Sequence, residues 1–221
     1  QNWGKRLRTV SKSAEPAGVR ASAGFFLFNS FANGSFNMQF KKIFDVCGPF
    51  TIPRVGKHTI VIDQNTKAEF WSQVEEKRAG LSGAIGCYIF AIQDGKAFTP
   101  IYVGKTERSF ESETLTGDKI NTYNKVVTKQ RGYPVLFLLP KMQPNRRSFS
   151  TGSAGIATFE KLLIGCALLK NRDLLNSDHT DFLRTTRVTG IMNHKRGKTT
   201  APAQKLRKAL GLRGRRPLMF V

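Results

Sequence analysis

The sequence predicts an α/β (α+β) fold: a small three-stranded sheet, mixed or antiparallel, flanked by helices. Three observations carry that prediction. Two runs rich in strand formers, "AIGCYIFAI" (84–92) and "FTPIYVG" (98–104), bracket Asp94 and Gly95, a dipeptide suited to a tight hairpin turn. A third run, "PVLFLLP" (134–140), is apolar without interruption, the pattern of a central strand buried on both faces. The segment "IATFEKLLIGCALLKN" (156–171) has the length of a helix, and Phe159, Leu162, Leu163, Cys166 and Leu169 make a broad apolar face along it.

The remaining elements follow in chain order. Residues 1–37 are rich in Ser, Ala, Gly and Arg, and Met38 then opens "MQFKKIF". They are expected to be a disordered extension or an artefact upstream of the true start; a basic targeting peptide ending in "FFLF" is the competing reading. Residues 38–83 form a lead-in. "HTIVID" (58–63) predicts a β-branched strand. "NTKAEFWSQVEEKRAG" predicts a helix capped by Asn65 or Thr66, with Phe70, Trp71 and Val74 facing the core and Gly80 ending it. Residues 84–181 form the core: the hairpin, a helix over "TGDKINTYNKVVTKQRG" ending near Gly132, the third strand, a loop at 145–155 and the long helix. Residues 182–221 form a basic C-terminal extension with eleven Lys or Arg and no acid. Within it "PAQKLRKALGL" (202–212) suggests a short helix, and "RGRR" beyond it reads as mobile.

The whole chain of 221 residues carries 36 Lys and Arg against 15 Asp and Glu, a formal charge of +21. Such an excess selects anionic partners, with nucleic acid foremost. Cys47, Cys87 and Cys166 are odd in number and widely spaced, and His58, His179 and His194 are scattered, which argues against a structural zinc site or a disulfide framework. Free thiols in a reducing cytoplasm are the expectation. No apolar run reaches the ~20 residues that cross a bilayer, so no membrane partner is expected.

The chemistry centres on the hairpin. Tyr88 follows Gly86 by two residues and Tyr102 precedes Gly104 by two. Side chains alternate faces along a strand, so antiparallel pairing can put both phenols on one face. Glycine beside them lets a backbone or ligand approach closely. The "GKT" at 104–106 is not a phosphate loop: Thr99 stands where that motif needs its first glycine, and a strand precedes it.

Taken together, "GCY…IYVG", the order strand–strand–helix–strand–helix and "FEKLLIGCALLKNRDLLN" (159–176) resemble the GIY-YIG nuclease superfamily over roughly 84–176. "YVGKT…F…E…K…Y" through 102–123 resembles one of its bacterial branches. The resemblance implies a metal-dependent endonuclease hydrolysing DNA phosphodiesters. Glu160 stands at the position of the family's metal-holding glutamate, for Mg²⁺ or Mn²⁺, and Asn176 at that of the asparagine sixteen residues on. The sequence departs from the pattern at Ser112, flanked by Glu111 and Glu113, where the family carries an arginine; Arg108, Lys119 or Lys125 would have to supply the charge. Tyr123 takes the place of a histidine often found in that helix.

Under this reading Tyr88 serves as base if a neighbouring cation, Lys105, favours its phenolate. Tyr102 orients water or phosphate, and Lys119 or Arg108 stabilises the phosphoryl oxygens. Glu160 holds the single metal ion, a Lewis acid. Asn176 holds the end of its helix or a sugar-phosphate oxygen. Asp173, Asp178 and Asp181 read as turn formers. Arg184, Arg187, Lys195, Arg196 and Lys198 are candidates for contact with the nucleic-acid backbone, DNA favoured over RNA. Two other classes share the same charge: a nucleic-acid-binding protein that kept the fold without catalysis, and a basic RNA- or ribosome-associated protein. Oligomeric state stays open.

Overall fold

The computed structural model describes residues 41–54, 59–194, 199–212 and 217–220. The expected extension over 1–37, His58 at the start of the predicted strand, Lys195, Arg196 and Lys198, and the "RGRR" run lie outside the described residues.

The hairpin forms as the sequence predicts. Strands β3 (Gly86–Asp94) and β4 (Ala97–Thr106) pair antiparallel around a two-residue turn at Gly95 and Lys96, one position on from the expected Asp94-Gly95. The apolar run becomes β5 (Tyr133–Met142), antiparallel to β3 on the side away from β4. Two further strands, β1 (Ile43–Phe44) and β2 (Cys47–Thr51), pair antiparallel with successive stretches of the outer edge of β5. The sheet therefore has five strands rather than three, ordered β1/β2, β5, β3, β4, and every named pairing is antiparallel, none parallel. The lead-in hides its strands because β2 reads "CGPFT", and Gly and Pro are depleted from strand interiors; Pro is tolerated here because β2 is an edge strand.

The strand predicted at 58–63 is absent beyond a single bridge residue at Thr59. Ile60 is instead held by a side chain: its N–H donates to Asn124 Oδ1 at 2.8 Å and its carbonyl accepts from Asn124 Nδ2 at 2.9 Å. With its backbone satisfied by an amide, this segment needs no strand partner. Asp63 then caps helix α1 (Gln64–Lys77), accepting from the Thr66 N–H at 2.7 Å, in place of the expected Asn65 or Thr66. Phe70, Trp71 and Val74 are buried as predicted.

After β4 come a single-turn helix α2 (Phe110–Glu113) and helix α3 (Gly117–Val127), which ends five residues short of Gly132. Helix α4 (Ile156–Lys170) matches its prediction in extent and only partly in face: Phe159 and Leu163 pack against the core as expected. Ile156, Ile164, Ala167 and Leu168 are buried, while Leu162, Cys166 and Leu169 are exposed. Apolar residues surround this helix on nearly every side, so periodicity alone could not fix its rotation. Short helices α5 (Asp181–Thr185) and α6 (Ala201–Ala209) follow.

Helices cover both faces of the sheet. Tyr88, Phe90, Ile92, Leu136 and Leu138 share one core with α1 and α3 residues such as Phe70, Val74 and Tyr123. On the other face Val103 packs with Ile164 and Leu168, and Cys87 with Ile156. The basic extension is anchored to this second face: Phe220 is buried in the same cluster, and its N–H donates to Asn193 Oδ1 at 2.8 Å. Among the described residues no helix is long and apolar enough to cross a membrane.

Candidate active site at the open end of the hairpin

The paired tyrosines and glycines acquire a geometric meaning from register. Tyr88 pairs with Gly104, and Phe90 with Tyr102, so both phenols share one face with Gly104 beneath them. The Tyr88 ring lies so close over Gly104 that any side chain at 104 would collide with its hydroxyl end. Gly86 is required for a parallel reason: a Cβ there would run into the Leu139 carbonyl of β5. The ring centroids of Tyr88 and Tyr102 are 6.2 Å apart.

The two phenols differ in environment. Tyr88 is fully buried and its hydroxyl has no hydrogen-bond partner. Burial, reinforced by Tyr123, Tyr102, Glu113 and Glu160, pushes its pKa far above that of free tyrosine, and no cation offsets this. The expectation that Lys105 favours a Tyr88 phenolate therefore fails; Tyr88 is a neutral phenol. Lys105 pairs with Glu107 at 3.4 Å instead. It stands two residues after Val103 on β4, so it shares Val103's face, opposite Tyr88.

Tyr102 is only partly buried, and its hydroxyl accepts a 2.7 Å hydrogen bond from Lys119 Nζ on the first turn of α3. Lys119 also lies 4.5 Å from the Tyr102 ring centroid and 3.8 Å from Glu113 Oε1. Lys119 thus fills the cationic place beside the phenols, while Lys125 is exposed near the far end of α3. Tyr123 is not at the surface: its ring stacks on Phe90 at 3.9 Å, and its buried hydroxyl is unpartnered.

Glu160 sits on α4 one turn after Ile156 and one turn before Ile164, both fully buried. That i, i+4 spacing turns its carboxylate toward the sheet rather than toward solvent. It approaches from the face opposite the phenols, beside Lys105 and Cys87. Burial raises its pKa above the ordinary glutamate range, with Asp178 adding to the rise, while Lys105, His179 and Lys119 oppose it. Its charge also reaches Tyr88. The phenols and the carboxylate therefore meet electrostatically around the edge strand at Gly104, from opposite faces. Cys87 lies buried on the same face as Glu160, packed with Ile156, its thiol pushed up to about 12 chiefly by burial and then by Glu160.

No hydrogen bond or ion pair among the described residues engages the Glu160 carboxylate, which suits a hard divalent cation that keeps most of its water shell. No cluster of three metal-ligating side chains occurs among the described residues. Asp178, which the sequence reads as a turn former, and His179, which it counts only among scattered histidines, both act on Glu160. His179 sits in a left-handed backbone conformation (φ 63°) three residues after Asn176, a placement that only the folded loop reveals.

Asn176 does not reach toward substrate. Its Oδ1 accepts from the Val103 N–H at 2.9 Å and its Nδ2 donates to the Val103 carbonyl at 2.7 Å. Arg184 donates to the carbonyls of Arg172 and Leu174, at 2.9 and 3.3 Å, and so braces the same segment. Arg187 donates to the Asn193 carbonyl at 3.2 Å and is otherwise exposed. Arg108 is exposed on the loop after β4, with no partner for its guanidinium among the described residues. Ser112 is engaged in the α2 cap with Ser109. Comparison with protein-family models, curated proteins and solved structures gave no match.

Proposed function

We propose that this chain is a metal-dependent endonuclease that hydrolyses DNA phosphodiesters at the Gly104 end of the hairpin, as its resemblance to the GIY-YIG nucleases implies. One observation carries the reading. An unengaged, half-buried carboxylate with Lys105 and a phenol bonded to Lys119 flank one edge strand from its two faces, in a strongly basic chain.

The roles follow from environment. Tyr102, bonded to Lys119 and partly open to solvent, orients the attacking water against the phosphorus. Tyr88, a buried and protonated phenol packed over Gly104, is a positioning residue rather than a base. Lys119, Lys105 and Arg108 face charge that grows on the phosphoryl oxygens. Glu160, with Asp178 close enough to influence its charge, would hold the divalent ion, which would supply Lewis-acid stabilisation of the leaving oxygen. Asn176 is a positioning residue acting through Val103.

A second reading, a DNA-binding module without catalysis, draws on Ser112: its engagement in a helix cap leaves no cation at that place. Supercoiled plasmid separates the two. With Mg²⁺ the proposal expects nicked circles to accumulate before linear product. EDTA abolishes nicking, and Glu160→Gln slows it about 100-fold or more. Salt-sensitive plasmid binding without nicking supports the module. Nicking that persists in Glu160→Gln overturns the assignment of the carboxylate.

A further inference from the structure

We infer that a second cleft, at the hairpin-turn end of the sheet, holds one unpaired nucleotide of a DNA strand, its base stacked on Tyr133. The cleft lies between the first residues of β5 and the segment after α3, and it encloses about 420 Å³ lined by Arg54, Asp94, Lys129, Arg131 and Tyr133. That volume falls in the range of ligand pockets, roughly 300–1,000 Å³.

Its chemistry is that of a base-and-phosphate site. Tyr133 is 61% exposed, the highest value for an aromatic of the strands. The guanidinium of Arg54 lies 4.8 Å from its ring centroid and is fixed by a 2.9 Å hydrogen bond to the Gly132 carbonyl. A cation-flanked aromatic ring presents a ready stacking platform. Lys129 and Arg131 bring two more positive charges against the single carboxylate of Asp94, and no ion pair holds either among the described residues. Together these three cations and one open ring match a phosphate joined to a base.

The position also defines a path. Asp94 lies six positions beyond Tyr88 on β3, about 20 Å at ~3.3 Å per residue. Helix α3 runs beside that distance, with Lys119 on its first turn and exposed Lys125 on its last. Such a register would take a strand engaged at Lys119 past Lys125 to the cleft. This register, and the choice of DNA, rest on the proposed function; the cleft's capacity to bind does not.

The test uses the full chain and fluorescence anisotropy with a labelled oligothymidylate, an abasic strand of equal length and an oligouridylate, across a salt series. Thermal melts verify that each variant folds. Tyr133→Ala is expected to weaken oligothymidylate binding about 10-fold and to leave abasic binding nearly unchanged, and Tyr133→Phe to bind like the parent. Lys129→Ala with Arg131→Ala is expected to lower the salt slope on both deoxy strands by about 1.4, at ~0.7 per phosphate contact. Parental affinity in Tyr133→Ala, or equal affinity of the parent for abasic and base-bearing strands, overturns the stacking cleft. Tighter binding of oligouridylate overturns the assignment to DNA. If plasmid nicking fails while the Tyr133 effect holds, the nuclease reading falls and the cleft stands. If nicking requires Glu160 but Tyr133→Ala binds normally, the cleft alone falls.

Discussion

Along the outer edge of β5 the covering group is backbone: β1 and β2 add strand pairs at Ile43–Met142, Phe44–Lys141, Cys47–Leu138 and Phe50–Leu136. Along the outer edge of β4 it is a single loop that uses side chains as well. Asn171 Nδ2 donates to the Pro100 carbonyl at 2.8 Å, the Leu175 N–H to the Ile101 carbonyl at 2.8 Å, and the Asn176 amide makes both bonds to Val103. Both solutions shield an edge that would otherwise pair with another chain. They differ in what they leave nearby. A strand occupies the edge continuously, whereas an amide occupies one residue and ends there. Beyond Val103, at Gly104 and Lys105, the edge carries no such cover from this loop, and there the phenols and Glu160 approach each other.

The largest effect comes from filling that gap. Gly104→Ala places a methyl against the Tyr88 ring, an overpacking expected to cost about 3 kcal/mol in denaturant unfolding. In a Tyr88→Ala background the same substitution is expected to cost under about 1 kcal/mol, because the collision is gone. Equal costs in both backgrounds would show that the glycine serves some need other than the ring.

Next is the amide seal. Asn176→Ala removes two hydrogen bonds and strands the buried N–H and carbonyl of Val103, a loss of about 2 kcal/mol. Hydrogen exchange at the Val103 amide should accelerate along with it. The strand-covered edge is expected to be less sensitive to a single side chain. Arg78 fastens β1 and β2 to β5 through Asp45 at 3.1 Å, Cys47 Sγ at 3.5 Å and Met142 Sδ at 3.4 Å, and it rests on the Phe149 ring. With the ion pair partly solvated and backbone pairing intact, Arg78→Ala is expected to cost about 1 kcal/mol. A larger loss than that of Asn176→Ala would reverse the comparison between the edges.

The same contrast explains what the sequence made legible. The hairpin, β5 and α4 announce themselves locally, through a turn dipeptide, an unbroken apolar run and a long helical segment. The edges do not. "CGPFT" looks like a loop because its Gly and Pro are read without the partner strand that tolerates them. Asn176 has the chemistry to touch a phosphate and equally the chemistry to mimic a strand; only the position of Val103 decides. Glu160 stood out by resemblance alone, since its spacing from Ile156 and Ile164 puts it on the buried stripe only once the structure fixes which stripe that is. The rotation of α4 was not legible, because Leu162, Cys166 and Leu169 form an equally apolar stripe that faces solvent. The opposite facing of Lys105 and Tyr88 was available from alternation alone, given the register that pairs Tyr88 with Gly104.

The smallest effect tests whether the carboxylate at the gap is held there against its own stability. Burial keeps the Glu160 proton bound to a higher pH in the folded chain than in the unfolded one, where glutamate titrates near ~4.3. Between those two values the folded state binds more protons, so stability falls as pH rises, and the penalty is complete above the folded value. Glu160→Gln has no such penalty. Without divalent ions, melting temperatures of the two proteins should nearly coincide at pH 4, and the variant should lead by a small margin at pH 8. Added Mg²⁺ should then raise the parent at pH 8 and leave the variant unmoved, because only an ionised carboxylate binds the ion. A variant less stable than the parent at pH 8 in metal-free buffer would mean that Glu160 is satisfied by the fold itself, and the edge beside Gly104 would be as closed as the one along β5.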